Sequence, residues 1–392
     1  MQPAGYVREK ELVEFLRGLI AINTVNPPGN EEPAAQYVAA KMRQEGMDVE
    51  IMEVSPGRAN VVAWLGGRSN APTLMLNGHL DTVPVGEKDR WQVDPFGAEV
   101  KEGRIYGRGA SDNKGGVTTI FHAALAVHRA GIRLANPVMV VGVMAEETTG
   151  QGTHFLLDRG IHPRQAIVAE WSQAARIAIG YRGRMGLEVE TKGKTAHGSR
   201  PHQGINAIEQ MFEVVVPAIK QYINGLPFTP IPAFLVNGSS ASVTMIEGGV
   251  KANVIPDACK VQVDIRLAPG QDPTQVREGL KKVEAQIRKE FPHLGITLAI
   301  TDQRFPFVTS TDDPLVRELA AGIQEVLGRE ATIIGKTGSS DGNFIVERLR
   351  VPVVAYGPGN DTGHAPNEYI EIQDLVNCTR VLATLIPRLA EE

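Results

Sequence analysis

From residue 8 to residue 169 the chain alternates helical and strand patterns, and this alternation most narrows the fold. Residues 8–22 and 31–46 place apolar residues at helical spacing, the second after the breaker cluster NPPGN. Apolar runs at 60–65, 73–77, 137–145 and 166–169 read as strands, with GGVTTIFHAALAVHRA (115–130) a helix between two of them. That order predicts a mostly parallel α/β sheet flanked by helices. Near residue 182 the texture changes. LEVETKGK (187–194), KVQVDIRL (260–267) and ITLAITDQ (296–303) alternate apolar and polar residues. Two helical patterns, at 204–223 and 272–291, lie among them. A half-exposed antiparallel sheet with two helices on one face is the economical reading. After Asp313 the helix-then-strand pattern returns in PLVRELAAGIQEVLG, ATIIG and VPVVAYG. The expectation is one α/β domain, residues 1–181 and 304–392, carrying residues 182–303 as an inserted α+β domain.

Bulk properties exclude several classes of function. A formal charge of −5 gives no footprint for nucleic acid or an anionic membrane surface. No apolar run of about 18 residues is present to span a bilayer. The N-terminal pattern has scattered charges and no separate apolar core, unlike a signal peptide. Two distant cysteines, Cys259 and Cys378, supply neither a disulfide framework nor a thiolate zinc site. A cytoplasmic protein is expected.

The sharpest local feature is NGHLDTVP (77–84), which ends the apolar run PTLML. A turn alone would account for it, with Asp81 bonding its own backbone. Four further segments change that reading. Asp112 precedes the helix at 115, where it could serve as a cap. Glu146 and Glu147 close one strand, Glu170 closes another, and His364 follows VPVVAYG. Ligands of open α/β sheets bind beyond the carboxyl ends of the strands, and carboxylates gathered there repel unless a cation neutralises them. Three carboxylates and two imidazoles without cysteine suit Zn²⁺, Mn²⁺ or Co²⁺, and a carboxylate-bridged pair of ions would activate a shared water. Asp81 would then hold one ring nitrogen of His79 so that the other faces metal. A nucleotide site at GKTGSS (335–340) fails, because a P-loop needs glycine where Glu330 stands.

GHLDTVP, GRGASDNKGG, AEETTGQGT, AEWS and GHAPNE together resemble the M20 metallopeptidases over essentially the whole chain. The nearest likeness is to acetylornithine deacetylases and succinyl-diaminopimelate desuccinylases. The resemblance implies two divalent ions, most readily Zn²⁺. His79, Asp112 and Glu170 would hold one; Asp112, Glu147 and His364 would hold the other. It makes Glu146 the general base and Asp81 the orienter of His79. It also implies that the inserted domain is a lid through which protomers dimerise. His197, in KTAHGSRP, would steady the oxyanion in the partner's site. Asn253, in GGVKANVIPD, and Arg266, in VDIRL, would hold the substrate carboxylate, and Asp341 lies in a substrate-facing loop, TGSSDGNF. The expected reaction is hydrolysis of an N-acyl amino acid, with a dipeptidase or carboxypeptidase as the alternative. Ala145, Trp171 and Asn343 depart from the family pattern of aspartate, proline and arginine at those places. None of them removes a ligand.

Overall fold

The structure is a computed structural model that describes residues 2–234 and 238–391. Its chain folds into two compact units, one comprising Met1–Gly180, Thr309–Gly335 and Ser340–Glu392, the other Tyr181–Val308 with Lys336–Ser339.

The first unit is built on a mixed sheet. Its strands run in the order Asp48–Ser55, Arg58–Leu65, Val138–Val143, Leu74–His79, Gln165–Val168, Val353–Ala355 and Arg176–Tyr181, with Thr332–Lys336 beside the last. The four strands from Val138–Val143 to Val353–Ala355 are mutually parallel; the pairs on either side are antiparallel. The parallel strands at 74–79 and 138–143 are buried along their whole length, which explains their unbroken apolar runs. The antiparallel flank has a local cause: Ser55 pairs with Arg58 across a two-residue turn whose Gly57 has φ +74°.

Helix Lys114–Arg129 packs on strand Leu74–His79 and against the C-terminal helix Ile372–Leu389. The start of the first helix is pressed against a strand end. A Cβ on Gly116 would lie 2.1 Å from the carbonyl oxygen of Ala169 and 2.2 Å from Asn113 Oδ1. Glycine is therefore a steric requirement there.

The second unit holds an antiparallel sheet in the order Ser240–Gly248, Ala258–Leu267, Gly183–Lys192, Gly295–Arg304. Met185, Leu187 and Val189 pair with Ile265, Val263 and Val261 on one face. Onto that face pack Met211, Val215 and Ile219 of the first helical segment and Val276, Leu280 and Ile287 of helix Pro273–Glu290. The other face is polar, carrying Arg184, Glu188, Lys260, Asp264 and Arg266. Cys259 and Cys378 are both buried free thiols. Among the described residues, no helix is long and apolar enough to cross a membrane.

Candidate metal centre

Four adjacent parallel strands deliver the cluster. His79 is the last residue of its strand, and Glu146–Glu147, Glu170 and His364 lie in the segments beyond the carboxyl ends of the others. Asp112 enters from the turn before helix Lys114–Arg129, but it does not cap that helix; Asn113 is the N-cap residue. Instead its two oxygens face two different imidazoles. Oδ1 lies 3.0 Å from His79 Nε2, and Oδ2 lies 3.4 Å from His364 Nε2. His79 Nε2 is also 3.6 Å from Glu170 Oε1, and His364 Nε2 is 3.1 Å from Glu147 Oε1.

Two groups with metal-ligand geometry result: His79, Asp112 and Glu170, and Asp112, Glu147 and His364, the donor atoms of each lying within 4.8 Å of one another. Asp112 belongs to both. The donor chemistry fits a pair of borderline divalent ions, because carboxylates this close require positive charge between them.

The charges of the cluster act on one another's protonation in the same sense. Burial pushes the Glu146 carboxyl well above the ordinary range; His79 opposes this, and Asp341, Glu147 and Glu170 add to it. Burial opposes protonation of His79, but Asp112, Asp81 and Glu146 raise its pKa well above the usual imidazole value. His364 is pushed up to about 10 by hydrogen bonds to Asp112 and Glu147.

The surrounding layer is fixed by backbone. His79 Nδ1 lies 3.0 Å from the carbonyl oxygen of Asp81 and 3.4 Å from its carboxylate. Asp81 faces that ring nitrogen with both its carbonyl and its carboxylate, the carbonyl being the nearer. That carboxylate, wholly buried, accepts hydrogen bonds from the backbone N–H of Glu146 at 3.1 Å and of Glu147 at 3.2 Å, and from Asn26 Nδ2 at 2.9 Å. Asp81 thus fixes the glutamate turn as well as its neighbour His79. Glu31, paired with Arg58, accepts from the N–H of Ala145, whose φ of +60° sets the direction of that turn. Sequence reasoning missed Glu31 and Asn26. Both sit far from the motif in sequence, and nothing in their local pattern marks them.

Asp341 is buried close enough to Glu146 to raise its pKa, at the start of helix Asp341–Leu349. Asn343 completes a capping box there, its Oδ1 accepting from the N–H of Ser340 at 2.8 Å. In the second unit, His197 pairs with Val254, is exposed, and has Nδ1 2.8 Å from Ser199 Oγ. Asn253 accepts from the Gly198 N–H through its carbonyl oxygen at 2.8 Å. Arg266 donates through Nε to Asp264 at 2.8 Å on the polar face of the sheet. His197 and Asn253 are thus neighbours, and Arg266 stands on a different strand from either.

A sequence model of peptidase family M20/M25/M40 matches residues 75–388, which include every candidate ligand. The chain belongs to that family. As an M20-type protein it is a metal-dependent peptidase or amidohydrolase. It is 29% identical over 403 residues to the N-formyl-4-amino-5-aminomethyl-2-methylpyrimidine deformylase of Bacillus subtilis, covering 96% of this chain and 94% of that one. To a probable succinyl-diaminopimelate desuccinylase of Staphylococcus epidermidis it is 24% identical, over 92% of this chain and 93% of the relative. To the acetylornithine deacetylase of Vibrio campbellii it is 28% identical, over 92% and 93%. Its fold is shared with a dinuclear metal-binding M20 peptidase of Bacillus subtilis, at a TM-score of 0.70 and 18% identity over 98% of each chain.

Proposed function

We propose that this M20 protein hydrolyses the amide bond of an N-acyl amino acid, releasing the amino acid and a carboxylic acid. The observation that carries the reading is Asp112, whose two oxygens serve two ligand sets while Glu146 stands buried beside them. His79, Asp112 and Glu170 would hold one divalent ion, and Asp112, Glu147 and His364 the other, with Zn²⁺ the best match to the donors and Co²⁺ or Mn²⁺ able to substitute. When bound, the ions supply Lewis acidity toward a carbonyl and make water a nucleophile near neutral pH. Everything else falls to the chain.

Glu146 takes a proton from the attacking water and returns it to the leaving nitrogen, from a buried position beside both ligand sets. Asp81 keeps the Glu146–Glu147 turn and His79 in place throughout. His197 donates a hydrogen bond to the developing oxyanion, and Asn253 and Arg266 hold the substrate's carboxylate. Asp341 borders the substrate near Glu146. We assign residues 182–303 as the lid and the surface through which two copies associate, with His197 reaching the partner's site, in a cytoplasmic enzyme without nucleic-acid or membrane partners.

Three relatives named as desuccinylase, deformylase and deacetylase support an acyl group on nitrogen over a peptide. Dipeptidase or carboxypeptidase activity is the second reading, favoured by solved neighbours that are peptidases. A panel of N-formyl, N-acetyl and N-succinyl amino acids alongside dipeptides decides between them. The proposal expects turnover of at least one acyl class, abolished by chelation and restored by Zn²⁺ or Co²⁺. Turnover of dipeptides alone would transfer the assignment to the second reading, and full activity after verified metal removal would refute both.

A further inference from the structure

Behind the ligand cluster lies a fully buried ion pair, Arg108 with Glu368, in which Nη1 donates to Oε2 at 2.7 Å and neither side chain is more than 1% exposed. Burying such a pair is costly unless the remaining donors and acceptors are answered. Here all but Arg108 Nε are answered, and almost wholly by backbone. Glu368 Oε1 accepts from the N–H of Ser111 at 2.8 Å and of Asp112 at 2.9 Å, and Oε2 accepts from the N–H of Gly109 at 3.1 Å. Arg108 Nη2 donates to the carbonyls of Pro84 at 3.2 Å and His364 at 3.3 Å, and Nη1 also reaches that of Ala365 at 3.3 Å.

One pair therefore touches three segments, which begin or end at His79, Asp112 and His364. The small sheet of Glu99–Lys101, Arg104–Tyr106 and Tyr369–Glu371 sets the register: Tyr369 pairs with Tyr106, and the N–H of Gly107 donates to the Glu368 carbonyl at 2.9 Å. We infer that Glu368 and Arg108 are positioning residues, holding the backbone of Asp112 and of His364 so that the shared carboxylate meets both ligand sets. This rests on the dinuclear reading above. Among the described residues, the hydrogen bonds from the pair to the ligand segments all go to backbone. Its action runs through the peptide groups that carry them.

Glu368→Gln isolates the effect. The amide keeps the shape but has only one acceptor oxygen, so one edge of the clamp turns an N–H₂ toward backbone N–H groups that need an acceptor. Metal affinity should fall about 10- to 100-fold, the usual cost of losing a partner that orients ligands. Because Asp112 is common to both sets, both ions should weaken together. The measurement is calorimetric titration of the metal-free full-length chain with Zn²⁺, with the absorption spectrum of the Co²⁺-loaded protein as a reading of ligand geometry. Thermal unfolding of the metal-free proteins separates positioning from bulk stability. The inference requires weaker binding by both ions and an altered Co²⁺ spectrum in a variant whose metal-free transition stays near wild type.

Wild-type affinity and spectrum in Glu368→Gln would overturn it, as would a metal loss that merely tracks unfolding of the metal-free variant. If Glu368→Gln does not fold, Arg108→Lys takes its place. Lysine keeps the charge but cannot fork to the carbonyls of Pro84 and His364, so it should weaken metal binding as well. A folded Arg108→Lys that binds like wild type, or failure of both variants to fold, would assign the pair to stability alone. A wild-type chain that takes up no ions would instead bring down the dinuclear reading and this inference with it.

Discussion

Two polar regions of the molecule hold their charges in opposite ways. In the α/β unit, Asp81 and Glu368 are wholly buried, and main-chain N–H groups supply most of the hydrogen bonds they accept. On the polar face of the second unit's sheet, Arg184 bonds Asp264, which bonds Arg266, and Lys260 bonds Glu188, all between half-buried or exposed side chains. Backbone donors cannot reorient without unfolding the strand or turn that bears them. Long side chains on a wet surface can, and salt screens them. The first region is built to keep a fixed geometry. The second leaves its side chains free to exchange one partner for another, which the proposed grip of Arg266 on an incoming anion would require.

Substitutions that break this contrast should be graded. Asp112→Ala should be the most severe, removing hydrolysis beyond detection and both ions from the purified protein; an ion retained at full affinity would show that the two ligand sets are independent. Glu146→Gln should cost about 10²–10⁴-fold in kcat while metal analysis still finds two ions, since a general base contributes on that scale and touches water. Loss of metal in that variant would make Glu146 a ligand.

His197→Ala, elsewhere in the second unit, should lower kcat about 10²–10³-fold with metal content intact. Mixed with Glu146→Ala under confirmed subunit exchange, it should regain activity if each site borrows a histidine from its partner. Arg266→Ala should act mainly on KM, by about tenfold, the worth of one charge-assisted contact, and high salt should reduce the difference between variant and wild type. An effect of Arg266→Ala confined to kcat would move that residue out of substrate binding.

The last effect concerns stability alone. Burial pushes the pKa of His122 down to about 4 from its usual 6.5; it sits edge-on to Phe15, with Nδ1 3.1 Å from the Thr118 carbonyl. Between those two pH values the unfolded chain binds a proton that the native chain refuses. Stability must therefore fall as pH drops through that window, by up to about 3 kcal/mol. Chemical denaturation at a series of pH values should show this slope in wild type and a shallower one in His122→Leu. Equal slopes would mean that the imidazole is already charged in the native state.

Much of this was legible from sequence, for a physical reason in each case. Strands buried on both faces must be continuously apolar, so the runs around 74–79 and 138–143 stood out. A face packed against helices forces alternation, so 183–192 and 258–267 did too. Strand Asp48–Ser55 was not legible, because it lies at the sheet's edge with most side chains only half buried. Strand Ser240–Gly248 was missed for a similar reason, with little burial beyond Ala241 to impose a pattern. The five ligand-bearing segments announced themselves through residue type at strand ends. Arg108 and Glu368 lay inside quoted motifs yet passed unremarked, because a residue that acts on backbone leaves no chemical signature of its own. Which N–H groups a carboxylate answers is decided only by the folded backbone.

The order of strands in the larger sheet also bears on how the protein is made. Val353–Ala355 lies between Gln165–Val168 and Arg176–Tyr181, so a late-synthesised segment fills a gap in a sheet whose other members emerge from the ribosome much earlier. Until it arrives, the strand ending at Val168 presents an unpaired apolar edge, the kind of surface that invites mispairing or a chaperone. His364 follows that same segment. The proposed ligand set can therefore be complete only after this late segment has emerged and paired, so on the dinuclear reading a metal would be captured after the rest of the sheet has formed.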